Sequence, residues 1–181
     1  ESMYDGLRLF QAVSAGNVAS VRALVAGGAD IDARDSNGYT VLMTALYKCS
    51  IECVKFLIQA GADIHTRDKH GNTALIWTAR LGRAECARIL LDAKADVNAA
   101  NEEGNTPVMW AACQGEFQCM KLLLDADADV NAANQTNDNA LIVAACRGYS
   151  ECLQLLLNAK AKIDAATQQG NTALIVAARD G

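Results

Sequence analysis

The sequence predicts an all-α solenoid, built of stacked helix-turn-helix units joined by hairpin-like turns. Three observations carry that prediction. The first is a strict period: Gly38-Tyr39-Thr40-Val41-Leu42 returns as Gly71-Asn72-Thr73-Ala74-Leu75, Gly104-Asn105-Thr106-Pro107-Val108 and Gly170-Asn171-Thr172-Ala173-Leu174. Asn137-Asp138-Asn139-Ala140-Leu141 fills the remaining slot, so the anchors fall 33 residues apart without insertion. A period of this length marks a repeat array, because one such unit cannot bury its own apolar face and must stack on neighbours. The second is that each period holds two short apolar helical runs. The third is composition: 51% hydrophobic residues and a single proline supply a core and argue against a disordered chain. The division expected is one array over 1–181, with units 5–37, 38–70, 71–103, 104–136 and 137–169 and a partial unit 170–181.

In chain order, residues 5–37 offer Asp5 as a cap and Leu9, Phe10 and Val13 as an apolar face, without the threonine signature, as a terminal repeat would. The period from Gly104 shows the grammar most fully. Thr106 is a good N-cap, Pro107 is pre-set for the first helical position, and Gly115 can stop the helix in the left-handed conformation. A second helix follows over Phe117–Asp125. The other second helices carry Val21–Val25, Cys53–Ile58, Cys86–Leu91 and Cys152–Leu157. Connecting triplets Ala29-Asp30-Ile31, Ala62-Asp63-Ile64, Ala95-Asp96-Val97, Ala128-Asp129-Val130 and Ala161-Lys162-Ile163 point their Ile or Val into the stack. The partial unit supplies one helix, leaving the face of Leu155, Leu156 and Leu157 uncovered. A truncated array, or a partner or second copy over that end, is the expectation.

These residues resemble the ankyrin repeat. The family's D-x-x-G turn, T-P-L-H-x-A-A helix, second helix and A-G-A-D-V-N-A connection are matched by Asp35, Gly38, Thr40, Leu42 and Ala45, by Glu52–Ile58, and by Ala60-Gly61-Ala62-Asp63-Ile64. The motif histidine is replaced by Met43, Ile76, Met109, Ile142 and Ile175, and the motif proline survives only as Pro107. Gly28 and Gly61 give way to Lys94, Asp127 and Lys160, and Cys49 stands where Gly82, Gly115 and Gly148 end the first helix. A left-handed backbone at those non-glycine sites costs on the order of 1 kcal/mol each.

Charge and motifs exclude several functions. Net charge is −5 without a basic run, so no nucleic-acid partner is expected. No apolar run approaches the roughly 18 residues of a membrane span, so no membrane partner is expected. The N-terminal residues show neither a basic segment nor an apolar signal core. Cys53, Cys86, Cys119 and Cys152 occupy one slot, about 10 Å apart from unit to unit as neighbouring helices pack. That is beyond the roughly 7 Å between Cα atoms that a disulfide tolerates. They read as small buried apolar groups, and unpaired cysteines place the chain in a reducing compartment such as the cytoplasm. His65 and His70 lie in a connection without a nearby cysteine and read as a solvated turn rather than metal ligands. No serine sits in a nucleophile elbow and no phosphate loop is present. Recurrent Asp30, Asp63, Asp96 and Asp129 suit turn bonding. Trp77 and Trp110 read as core packing between neighbouring units. No catalytic residue, metal or cofactor is expected. An enzyme using His65, His70, Cys113 or Cys146 is the competing class.

What remains is a surface. The resemblance implies a protein partner on the concave face, at turn tips and exposed positions of the first helices. Residue by residue this gives Arg34, Asn37, Tyr39, Tyr47 and Lys48, then Arg67, Lys69, His70, Asn72, Arg80 and Leu81. Glu102, Glu103, Asn105, Gln114, Asp138 and Arg147 continue it. Cations dominate early and Glu102, Glu103 and Asp138 follow, an order that would steer a complementary partner into register. Tyr39 and Tyr47 are the favoured anchors, since exposed tyrosine is enriched at hot spots. The function expected is a non-catalytic interaction scaffold. The alternatives are a regulatory or targeting segment of a longer protein, an inhibitor of a partner enzyme, and self-association through the C-terminal end.

Overall fold

The computed structural model describes residues 2–180. Among them stand eleven helices and no strand: α1 (Ser2–Ser14), α2 (Val18–Ala26), α3 (Val41–Lys48), α4 (Ile51–Gln59), α5 (Ala74–Arg80), α6 (Ala84–Asp92), α7 (Pro107–Gln114), α8 (Phe117–Asp125), α9 (Ala140–Arg147), α10 (Ser150–Asn158) and α11 (Ala173–Asp180). Each odd-numbered helix through α9 packs antiparallel to its successor. Odd helices also touch one another in a row, α1 through α11, and even helices form a second row from α2 to α10. The result is an all-α solenoid of two helical layers with a fringe of turns.

The local chemistry explains why helices of seven to nine residues, marginal alone, hold here. In α3 the apolar positions Val41, Leu42, Ala45 and Leu46 are all buried, placing one stripe against α1 and the next against α5. Leu42, Leu46, Leu57, Leu75, Leu90, Leu123 and Leu156 are among the fully buried side chains, each worth about 1.5–3 kcal/mol on burial. Small residues occupy the inter-unit slots: Ala45, Ala79, Ala111, Ala112 and Ala144 are fully enclosed, as are Cys53 and Cys86. No disulfide joins the cysteines of the described residues.

Threonine capping works in most copies. The Thr40 hydroxyl accepts from the Met43 amide, and Thr73, Asn139 and Thr172 do the same for Ile76, Ile142 and Ile175. The period that shows the grammar most fully is the exception. Thr106 sits at the N-cap before Pro107, yet its hydroxyl makes no cap bond and is buried without a partner. Nothing in the structure explains the loss.

Three further expectations are corrected. Asp5 is not a cap: it lies inside the first turn of α1, 3.9 Å from Arg8. Leu156 is fully buried against the unit before it, so only Leu155 and Leu157 remain partly open. Ile31, Ile64 and Val97 are half-buried and Val130 is buried, whereas Ile163 is 59% exposed.

The left-handed sites occur where the repeat alignment places them. Cys49, Lys94, Asp127 and Lys160 all have φ between 58° and 69°, and Asn137 adopts φ 61° in the slot of the turn glycines. At Gly71 the requirement is doubled: φ is 75°, and a Cβ there would stand 2.8 Å from the Glu102 backbone nitrogen.

The face of turns and first helices

Each connecting turn is a small hydrogen-bonded hairpin whose first polar residue organises it. The Asp68 carboxylate accepts from the His70 and Asn72 amides through one oxygen, and from the Asn72 side chain and the Trp77 indole through the other. Asp35, Asn101 and Asn134 accept the equivalent pair of amides in their own turns. Burial pushes the Asp68 carboxyl up, but these hydrogen bonds outweigh it and hold its pKa below the ordinary value. Asp63 is likewise lowered, chiefly by the His65 amide and the Thr66 hydroxyl. Asp30, Asp96 and Asp129 bond the amide two residues on, so the recurrent aspartates are turn builders.

Successive turns are stitched together. The Lys69, Glu102, Gln135 and Gln168 amides each donate to a carbonyl of the turn before, at 3.0–3.3 Å. Side chains repeat the stitch. Arg34 donates to the Arg67 carbonyl, Arg67 to the Ala100 carbonyl at 2.5 Å, and Gln135 to the Glu102 carbonyl at 2.6 Å. Arg34 and Arg67, expected as partner-facing charges, therefore brace the turns while keeping their charge at the surface. Asn72 also departs from expectation. It is only 5% exposed, and bridges Asp68 to the Asn101 side chain.

The other expected residues are distributed as follows. Asn37, Tyr47, Lys48, Lys69, His70, Arg80, Glu102, Glu103, Gln114 and Arg147 are exposed, while Tyr39, Leu81, Asn105 and Asp138 are half-buried. Leu81 closes α5 as its C-cap. Between first helices the surface dips into clefts. One of about 290 Å³ is lined by Tyr39, Met43, Thr44, Tyr47 and Trp77. The next, about 250 Å³, lies among His70, Asn72, Arg80, Asn101, Glu102, Glu103 and Trp110.

The tryptophans correct a reading. Trp110 packs against the core, as expected, but neither ring is enclosed in it. Both are half-buried on this face, with the Arg80 guanidinium 5.4 Å from one ring centre and 4.9 Å from the other. Tyr39 meets Trp77 edge-to-face at 5.2 Å and 85°, and Lys48 lies 5.7 Å from the Tyr47 ring centre. Trp77, Met43 and Thr44 belong to the cleft although the sequence reading omitted them from the surface. The four-residue step from Met43 to Tyr47 is the signal that could have found it, since such residues share one helix face, and Tyr39 stands just before that helix.

Thiol chemistry divides by layer. Burial raises the Cys86 pKa to about 11 and that of Cys119 to about 12, and raises that of Cys152 too, which leaves them inert thiols at neutral pH. Cys49 and Cys146 are exposed and Cys113 is half-buried. The Arg147 guanidinium donates to the Cys113 sulfur at 3.7 Å. Among the described residues no group of three His, Cys, Asp or Glu side chains is placed to hold a metal ion, and no helix is long and apolar enough to cross a membrane.

Short paired helices, two layers and a stitched fringe of turns define a solenoid repeat protein. The family profile described as ankyrin repeats (3 copies) matches residues 8–68, 60–134 and 128–181, and the chain belongs to the ankyrin repeat family. Ankyrin repeats are generally protein–protein interaction modules and typically non-catalytic. The comparison with curated proteins gave no match.

Proposed function

We propose that this ankyrin array is a non-catalytic scaffold that binds a partner protein across its turn tips and first helices. The observation that carries the reading is the open aromatic cleft of Tyr39, Met43, Tyr47 and Trp77. Three large aromatic side chains reach the surface over a buried Met43: Tyr47 is 57% exposed, and Tyr39 and Trp77 are half-buried. In the scaffold beneath, every turn is bonded to the next, which lowers the ordering cost of presenting the face. The unit bounds given above, the binding residues on this face and a reducing, cytoplasmic setting are part of the proposal.

The test compares proteins retained from cell extract by the native chain and by Tyr39→Ala and Tyr47→Ala variants. A partner held by the native chain should be lost or weakened by both substitutions, with the melting temperature nearly unchanged in Tyr47→Ala and lowered only by the lost Trp77 contact in Tyr39→Ala. Retention unaffected by either change would refute the assignment of this face.

Self-association has its own observation. Leu157, Ile163, Leu174 and Ile175 are 44–79% exposed at the C-terminal end of the stack, an apolar set able to pair with a second copy. Sedimentation over a range of concentrations tests it, and a strict monomer at the highest concentration refutes it.

A further inference from the structure

The geometry points to one kind of occupant for the cleft between α3 and α5: an extended acidic peptide segment that inserts a single bulky apolar side chain. This inference rests on the reading of the turn and first-helix face as the binding surface, and specifies what that surface takes.

The cleft supplies the apolar half of the recognition. Tyr39 and Trp77 form one wall, fixed edge-to-face, with the Trp77 indole anchored on Asp68. Met43 is 3% exposed and forms the floor, while Tyr47 rises at the rim. Thr44 turns its hydroxyl back to the Thr40 carbonyl at 3.3 Å, which leaves its methyl as the lining. The volume of about 290 Å³ suits one leucine, methionine or phenylalanine side chain, not a folded surface.

The surround supplies the charge. Lys48 stands beside Tyr47, Arg80 beside Trp77, and Lys69 follows the turn carbonyl of Asn37 next to Tyr39. None of the ion pairs among the described residues involves Lys48, Lys69, Arg80, Arg34 or Arg67. The two turn carboxylates, Asp35 and Asp68, are engaged by backbone amides of their own hairpins. Both carboxylates keep their charge, but five cations (Arg34, Lys48, Arg67, Lys69 and Arg80) stand against these two, so the named charges around the cleft sum to positive although the chain carries −5 overall. Aromatic walls can also cage a methylated ammonium. Here, however, Lys48 and Arg80 already lie against the Tyr47 and Trp77 rings, and a second cation would meet their repulsion. Carboxylates flanking an apolar anchor meet attraction instead, weakened by salt.

The experiment pans displayed random short peptides against the full chain, then measures synthetic copies of the enriched peptides by fluorescence anisotropy. The expected consensus is one bulky apolar residue with acidic residues on both sides. Binding should fall at least about tenfold, the scale of a hot-spot contact, in Tyr47→Ala, in Thr44→Phe, which fills the cleft, and in the Lys48→Glu Lys69→Glu double variant. Melting curves of these surface variants establish that they fold. Basic or trimethyl-lysine-selective peptides would overturn the charge assignment. Peptides insensitive to all three variants but lost on Glu102→Lys Glu103→Lys would overturn the cleft and leave the wider face standing. Peptides insensitive to every one of these changes, or no enrichment at all, would overturn both.

Discussion

Trp77 and Trp110 occupy the same slot in consecutive units, yet removing the indole nitrogen from each should have opposite consequences. The Trp77 Nε1 donates to the Asp68 Oδ2 at 3.0 Å. Nine residues before Trp110 stands Asn101, whose Oδ1 accepts the Glu103 and Asn105 amides as Asp68 Oδ1 accepts its own pair. The remaining atom of Asn101 is an NH₂ group, already donating to the Asn72 Oδ1 at 3.0 Å. It cannot accept from an indole, and the Trp110 Nε1 is buried without a partner. Flipping the Asn101 amide would serve the indole but turn a donor toward two backbone donors, a worse arrangement. A bond to a buried carboxylate contributes about 1.5–3 kcal/mol, and an orphaned buried donor costs about 1–3 kcal/mol. Substituting phenylalanine removes similar ring area from two half-buried side chains and keeps a ring under Arg80 in both. Trp77→Phe should therefore be at least about 2 kcal/mol more destabilising than Trp110→Phe. Urea titration followed by far-ultraviolet circular dichroism measures both variants against the native chain. Equal losses, or a larger loss for Trp110→Phe, would refute the donor-against-donor account.

Other outcomes follow from the same geometry. Lys94→Gly and Lys160→Gly should each raise stability by about 1 kcal/mol in thermal melts. The equivalent Gly28 and Gly61 have no atom near a built Cβ, so backbone conformation alone sets the cost at this slot. Asp63 and Asp68 titrate below the ordinary value of 3.8 in the folded chain. Their contribution is complete above that value and is lost as pH falls through the folded values. The stability gap between native chain and Asp68→Asn, measured by urea melts across pH, should thus narrow in that acid range. In native protein, alkylation followed by mass spectrometry should modify Cys49, Cys113 and Cys146. Cys53, Cys86, Cys119 and Cys152 should react only after denaturation, because burial withholds access to all four and raises the thiol pKa of Cys86, Cys119 and Cys152.

The repeat itself was legible because periodicity is a one-dimensional signal. Threonine or asparagine before Val41, Ala74, Ala140 and Ala173 marks a helix start wherever it occurs, and a cysteine recurring in one slot marks a buried position. Even the strained backbone at Lys94 and Lys160 could be read, since glycine fills that slot in the earlier copies. The surface was less legible. Arg34 and Arg67 look like ligand-facing charges until their reach to the carbonyl of the next turn is known, and Asn72 looks exposed until its bridge from Asp68 to Asn101 is seen. The tryptophans show the same limit, since aromatic residues serve cores and binding faces alike.

By itself the chain determined its period, its helix pairs, its buried ladder and its membership among ankyrin repeats, all properties repeated in every copy and fixed by local propensity and burial. Tertiary structure decided where the copies differ. It made Tyr39, Met43, Tyr47 and Trp77 into one cleft, set Arg80 against two indoles, and gave Trp77 an acceptor that Trp110 lacks. Those outcomes depend on which side chains meet across neighbouring units, and a distance in space between residues 33 apart is set only when the stack forms.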